Sequence, residues 1–179
     1  MFSTFRKSLM SVVAALMVFA VAGMVSKPAQ AGSLSNFLGN KLIDFTLRGQ
    51  TYTPPSTVFV ALATTTGTPA ACGTEVTGGS YARVAVTASL ANISGTQGAG
   101  TTSVSSGTNS GSGLAFSNNI AITFPAPTAS WGTVVEFCVF DAATSGNLLF
   151  RAALTAPQTV NSGATAPSFA ISALSGNVN

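Results

Sequence analysis

Residues 131–154 carry the pattern that most narrows what this chain can fold into. Trp131, Thr133, Val135, Phe137 and Val139 fall on every second position, and Leu148, Phe150, Ala152 and Leu154 do the same after a short gap. Side chains two apart point to one face of a strand, so the two runs predict an antiparallel hairpin closed by the loop Asp141-Ala-Ala-Thr-Ser-Gly146. Folding about Ala143 and Thr144 sets Phe137 opposite Phe150 and Val139 opposite Leu148. The same register sets Glu136 opposite Arg151 on the other face, a cross-strand ion pair. A slip of one residue would undo both agreements.

Other strands are predicted on either side. Val58 to Ala63 is an unbroken apolar run, as in a strand buried on both faces. Tyr81 to Thr87 alternates, and Ile120 to Phe124 and Ser168 to Leu174 are further candidates, separated by turns rich in Gly, Ser, Thr and Asn. One helix is legible at about residues 35–48. Ser33 or Ser35 can cap it, Leu34, Phe37, Leu38, Leu42 and Phe45 recur at three- and four-residue steps, and Gly49 can end it. That stripe would pack on a sheet or on a neighbouring subunit. The fold class expected is mainly β: an antiparallel sandwich or jelly roll with one short N-terminal helix.

Charge excludes several functions. The full chain has seven basic and four acidic residues and no histidine. Arg6, Lys7 and Lys27 precede residue 32, where no acid occurs. Beyond it, Lys41, Arg48, Arg83 and Arg151 balance Asp44, Glu75, Glu136 and Asp141. A neutral chain without a basic patch is poor material for binding nucleic acid.

Residues 1–31 read as a secretory signal peptide. Arg6 and Lys7 form a basic start, Leu9 to Val25 is apolar, and Ala29-Gln30-Ala31 is a small-x-small cleavage site. A retained anchor is the alternative, although a stretch of seventeen residues is at the short limit for a span. Removal would leave a single β-rich domain, residues 32–179, which meets the membrane only through its leader during export. Localisation would then be periplasmic, cell-surface or extracellular. In an oxidising compartment Cys72 and Cys138 could form one disulfide, whose long loop would contribute about 4 kcal/mol. Two buried free thiols are the other reading.

Chemistry finds little purchase. A serine triad lacks its histidine, and no metal-ligand spacing, phosphate loop or dinucleotide fingerprint is present, so neither a catalytic residue nor a cofactor is assigned. Glu75 and Glu136 are the one carboxylate pair that a secreted glycoside hydrolase could use. Asp141 with backbone oxygens is a calcium candidate, and Asn92-Ile93-Ser94 matches a glycosylation acceptor. Residues 99–113 are a Gly/Ser/Thr stretch that reads as a flexible surface loop, with a contact loop as the alternative.

Four segments in order resemble a family of small bacteriophage tail-fibre-like structural proteins. They are LSNFLGNKLIDFTLRGQTYTPPSTVFVALAT (34–64), GTEVTGGSYARVAV (73–86), ITFPAPTASWGTVVEFCVFDAATSGNLLFRAAL (122–154) and TVNSGATAPSFAISAL (159–174). The resemblance implies a β-rich, non-enzymatic virion component, a tail-fibre or decoration subunit that forms homo-oligomers and meets other virion or cell-surface proteins. It carries over no binding residues. The leader departs from the family, whose members begin near the helix. An exported bacterial surface or filament subunit, or an adhesin, reusing the same module is the alternative.

Overall fold

The structure is a computed structural model, and it describes residues 33–106 and 114–178. The leader assigned to residues 1–31 and residues 107–113 of the Gly/Ser/Thr stretch lie outside the described residues. The elements run β1 (Ser33–Leu34), α1 (Asn36–Leu47), β2 (Thr57–Ala63), β3 (Val84–Thr87), β4 (Leu114–Ser117), β5 (Ile122–Thr123), β6 (Gly132–Phe140), β7 (Leu148–Val160), β8 (Ser168–Phe169) and β9 (Ser175–Val178). β1, β7, β6, β2 and β3 form one five-stranded sheet in that order, and every pairing in it is antiparallel. β4 pairs with β9 and β5 with β8 as two separate two-stranded ribbons. The mainly β, antiparallel class with a short N-terminal helix holds. In place of two extended sheets, however, one full sheet shares its core with two ribbons.

Burial explains the central strands. On β2, Val60 and Leu62 enter the main core, while Ala61 enters a second cluster on the other face with Cys138, Phe140 and Leu148. β2 and β6 lie inside the sheet and are covered on both sides, which is why the Val58–Ala63 run is continuously apolar. The main core also takes Ile122 and Phe124 from the β5 region, Phe169 from β8, and Ala173 and Leu174 before β9.

The β6–β7 hairpin forms, but its register is two residues from the expected one. Phe137 pairs with Ala152, Val139 with Phe150, Cys138 with Arg151 and Glu136 with Ala153. The loop itself closes one residue out, with Phe140 opposite Leu148, and an irregularity between Val139 and Phe140 adds the second residue, while a further bulge lies between Val134 and Glu136. A bulge adds a residue to one strand and changes which side chains face inward. Val134 therefore enters the core in place of the expected Thr133 and Val135 face, and Leu148 joins the second cluster while Leu149 and Phe150 join the first. An even shift keeps faces unchanged, so Glu136 and Arg151 remain on one side as diagonal neighbours.

Three expected strands are shorter, the Ile120–Phe124 candidate among them as β5 (Ile122–Thr123), and β1, β4 and β9 are new. Tyr81–Arg83 precede β3, and Ser168–Leu174 yields only two residues of β8. β4 and β9 are held by Asn118, which is fully buried. Its side-chain N–H groups donate to the Ile120 and Ala170 carbonyls, each at 2.7 Å, and its Oδ1 accepts the Leu174 N–H at 2.9 Å. Gly176 lets the β4–β9 ribbon close on the core, because a Cβ there would lie 2.1 Å from Cζ of Phe150. Residues 99–106 of the Gly/Ser/Thr stretch are tied down in part, with Asn119 accepting the Gly100 N–H and donating to the Thr101 carbonyl.

Candidate functional site

The most heavily bonded polar group lies where β6, β7 and the loop after β2 meet. Glu136 points to the second face of the sheet and is 0% exposed. Its Oε1 accepts Nε and a terminal nitrogen of Arg151, and its Oε2 accepts the backbone N–H groups of Gly67 and Gly73 at 2.9 and 3.0 Å. Both carboxylate oxygens are thus satisfied by a cation and two amides. Gly67 and Gly73 suit this close approach, since a Cβ on either would collide with loop backbone. Cys72 and Cys138 are joined by a disulfide across a sequence separation of 66, and it fastens the same loop to β6 beside Glu136.

Glu75 is held by different partners. Ala63 on β2 bridges to Glu75 on one side and pairs with Glu136 on the other, so the two carboxylates flank the strand. Arg83 grips Glu75 with two parallel bonds, Nε to Oε1 at 2.9 Å and a terminal nitrogen to Oε2 at 2.7 Å, the fork geometry that favours Arg. The other terminal nitrogen donates to the Ala142 and Ser145 carbonyls in the β6–β7 loop, and the guanidinium lies 3.7 Å from the centre of the Phe140 ring. Tyr81 donates its hydroxyl to Glu75 at 3.0 Å and accepts the Leu62 N–H at 2.9 Å. Burial pushes the Tyr81 phenol up, and the nearby Glu75 charge adds to the rise.

This geometry opposes hydrolysis. A glycosidase needs one carboxyl free to donate a proton and a second free to attack or to activate water. Glu136 is sealed from solvent, and both oxygens of Glu75 are engaged by Arg83 and Tyr81. Cys72, Cys138 and Glu136 form a cluster with ligand atoms within 4.8 Å of one another, but the sulfurs are spent on each other and Arg151 occupies the carboxylate. Asp141 does not present a calcium site: its two oxygens accept the backbone and side-chain N–H groups of Asn147, closing the hairpin loop. Asn92 donates its amide to the Thr87 carbonyl at 3.0 Å. The Glu75–Arg83–Tyr81 group was readable only as opposite charges around a Gly78-Gly79 turn, a weak signal without the fold.

Among the described residues, four of the eight exposed large apolar side chains lie on α1. Ser35 caps the helix by accepting the Leu38 N–H at 3.0 Å. It also fixes the helix start to β7, donating its hydroxyl to the Leu148 carbonyl and its backbone N–H to that of Leu149. Phe37 and Leu38 pack on the core. Beyond them Leu42, Ile43, Phe45 and Leu47 are 47, 51, 56 and 81% exposed. Gly49 ends the helix at a φ of 65°, and no helix among the described residues is long and apolar enough to cross a membrane.

A comparison with curated proteins finds no match. The family model described as Podophage GP4 fiber I protein gp80 matches residues 33–177.

Proposed function

The chain belongs to the Podophage GP4 fiber I protein gp80 family, and we propose that it is a non-enzymatic structural subunit of the virion, a tail-fibre or decoration subunit that assembles with copies of itself. The observation that carries this reading is the reach of the family match, which takes in the helix, the whole five-stranded sheet and almost all of both ribbons. The engagement of Glu75 and Glu136 supports it, because each carboxylate holds loops in place and neither is left to act on a substrate. So does the charge balance after residue 31, since neutral copies do not repel one another.

The disulfide favours a second reading, an exported bacterial surface or filament subunit, or an adhesin, built on the same module. Disulfides persist in oxidising compartments, and the pattern of residues 1–31 would deliver the chain to one. Mass spectrometry of the N-terminal peptide, on purified virions and on cell-free culture supernatant, separates the two. Peptides of this chain in particles, at the abundance of a structural component, are the expected result. A terminus at Gly32 found only in supernatant and never in particles overturns the virion reading and leaves the exported one.

A further inference from the structure

We infer that the reduced chain carries a site for a divalent cation of the zinc class, with Cys72, Cys138 and Glu136 as its protein ligands. The site belongs to the folded chain before its disulfide forms, so it does not depend on where the protein ends up. Thiols are kept reduced inside cells, and a chain that folds there has two free cysteines at this place. Their Cα atoms are 6.0 Å apart, so both sulfurs reach one point between the loop and β6. Cys138 Sγ lies 3.7 Å from Oε2 of Glu136, and all three donor atoms lie within 4.8 Å of one another. In a tetrahedral zinc site, with Zn–S near about 2.3 Å and Zn–O near about 2.1 Å, a sulfur and an oxygen are about 3.6 Å apart and two sulfurs about 3.8 Å. The sulfur–oxygen edge is therefore already in place. The sulfurs need only part, as two unbonded sulfurs must.

Charge and access fit the same ion. Arg151 bonds Oε1 of Glu136, which leaves Oε2, the oxygen beside the sulfurs, to the Gly67 and Gly73 amides. Gly73 follows Cys72 directly in the chain. The movement that parts the sulfurs therefore also draws off the Gly73 amide and frees a lone pair of Oε2. Two thiolates and one carboxylate against one guanidinium leave two negative charges uncompensated, which a divalent cation cancels. Soft thiolate donors select zinc over magnesium or calcium. On one side Ala61, Phe140 and Leu148 enclose the sulfurs in apolar surroundings. On the other Cys72 is only half-buried and the cleft of the 65–74 loop opens beside it, which gives an entry path and room for a water as fourth ligand. Once the sulfurs bond to each other the site is gone, so the ion and the disulfide exclude one another.

Titration of the tag-free protein with cobalt(II) tests this. The chain has no histidine, and Cys72 and Cys138 are its only cysteines, so thiolate-to-cobalt charge transfer can arise only from them. A water-soluble phosphine first reduces the protein: the S–S bond breaks, each sulfur gains one electron and one proton, and the phosphine becomes its oxide with an oxygen from water. After the phosphine is removed without air, each ion that binds displaces the two thiol protons to buffer. The reduced wild type should develop the charge-transfer band and the visible bands of tetrahedral cobalt, saturate at one ion per chain, and lose its colour to zinc. Cys72→Ser and Cys138→Ser should each weaken cobalt binding on the order of tenfold or more, and so should Glu136→Gln, which keeps an acceptor for the amides. Near-UV circular dichroism checks that each protein is folded. Zinc should also raise the melting temperature of the reduced wild type and leave that of the oxidised protein unmoved. A reduced wild type that stays colourless, or colour that comes only with loss of the near-UV signal, overturns the inference. Undiminished affinity in Glu136→Gln, or equal binding by the oxidised protein, overturns it as well. Finding the chain in virions or in supernatant moves none of these outcomes, so either reading can fail alone.

Discussion

Replacing Arg151 by Met should be among the most damaging single changes in this protein, and the damage should be repaired by a second change. Met keeps the length of the Arg stem and removes its charge, leaving Glu136 with the Gly67 and Gly73 amides but no cation. Glu136 is 0% exposed and Arg151 only 14%, so water cannot replace the guanidinium without opening the loop. Breaking one side of a buried pair costs about 3–5 kcal/mol, a melting shift on the order of 10 °C for a domain of this size. Adding Glu136→Gln removes the stranded charge while an amide oxygen still accepts from Gly67 and Gly73. The double variant should therefore recover about 2 kcal/mol relative to Arg151→Met alone, a coupling readable from a double-mutant cycle in urea. Because the pair is enclosed, the coupling should hardly change between low and high salt, unlike that of a surface pair. An Arg151→Met variant within 1 kcal/mol of wild type, or a double variant no better than the single, would refute the assignment of Glu136 as a buried, cation-dependent charge.

Three further outcomes can be checked directly. Reducing the Cys72–Cys138 bond should lower stability by about 4 kcal/mol in the chain-entropy model, read as a drop in the urea midpoint with reductant; an unmoved midpoint would contradict it. Gly176→Ala should cost about 2 kcal/mol, the usual scale for forcing an added methyl into a packed core, because the new methyl and the Phe150 ring cannot both keep their places; equal melting temperatures for the two proteins would count against that close approach. Tyr81 ionises above its ordinary value of 10.0 when folded, so its stabilisation is whole below pH 10 and is lost as the pH climbs toward the folded value. Phenolate absorbance should therefore lag a free tyrosine above pH 10 and catch up on unfolding, and a titration that matches the free phenol would rule this out.

Sequence pattern reached the elements whose signal is local. The unbroken run on β2 encodes burial on both faces, and the stripe from Phe37 to Phe45 with Ser35 and Gly49 at its ends encodes α1. The hairpin is legible as a pair of strands but not in register, because the loop and the irregularity beside Val139 set the pairing; farther along, Val134 and Val135 are both apolar and either could face inward. Only the bulges decide, and a bulge leaves no mark in alternation. β4 and β9 escaped notice because they depend on distant partners, the Asn118 amide and the Phe150 ring over Gly176. At the site, opposite charges suggested Glu136 with Arg151. The sealing amides of Gly67 and Gly73 come from a loop 63–69 residues away in sequence, and nothing local announces them.

The bond between Cys72 and Cys138 has a topological consequence. It makes the stretch between them, with β3, β4, β5 and most of β6, a closed covalent ring. The route from β2 to β7 no longer has to pass through the Gly/Ser/Thr segment at 99–113, since it can cross the sulfurs instead. A protease that cuts once in that segment would therefore yield one molecule of unchanged connectivity on a non-reducing gel and two pieces after reduction. For the folded chain, that is the difference between a nick and a break.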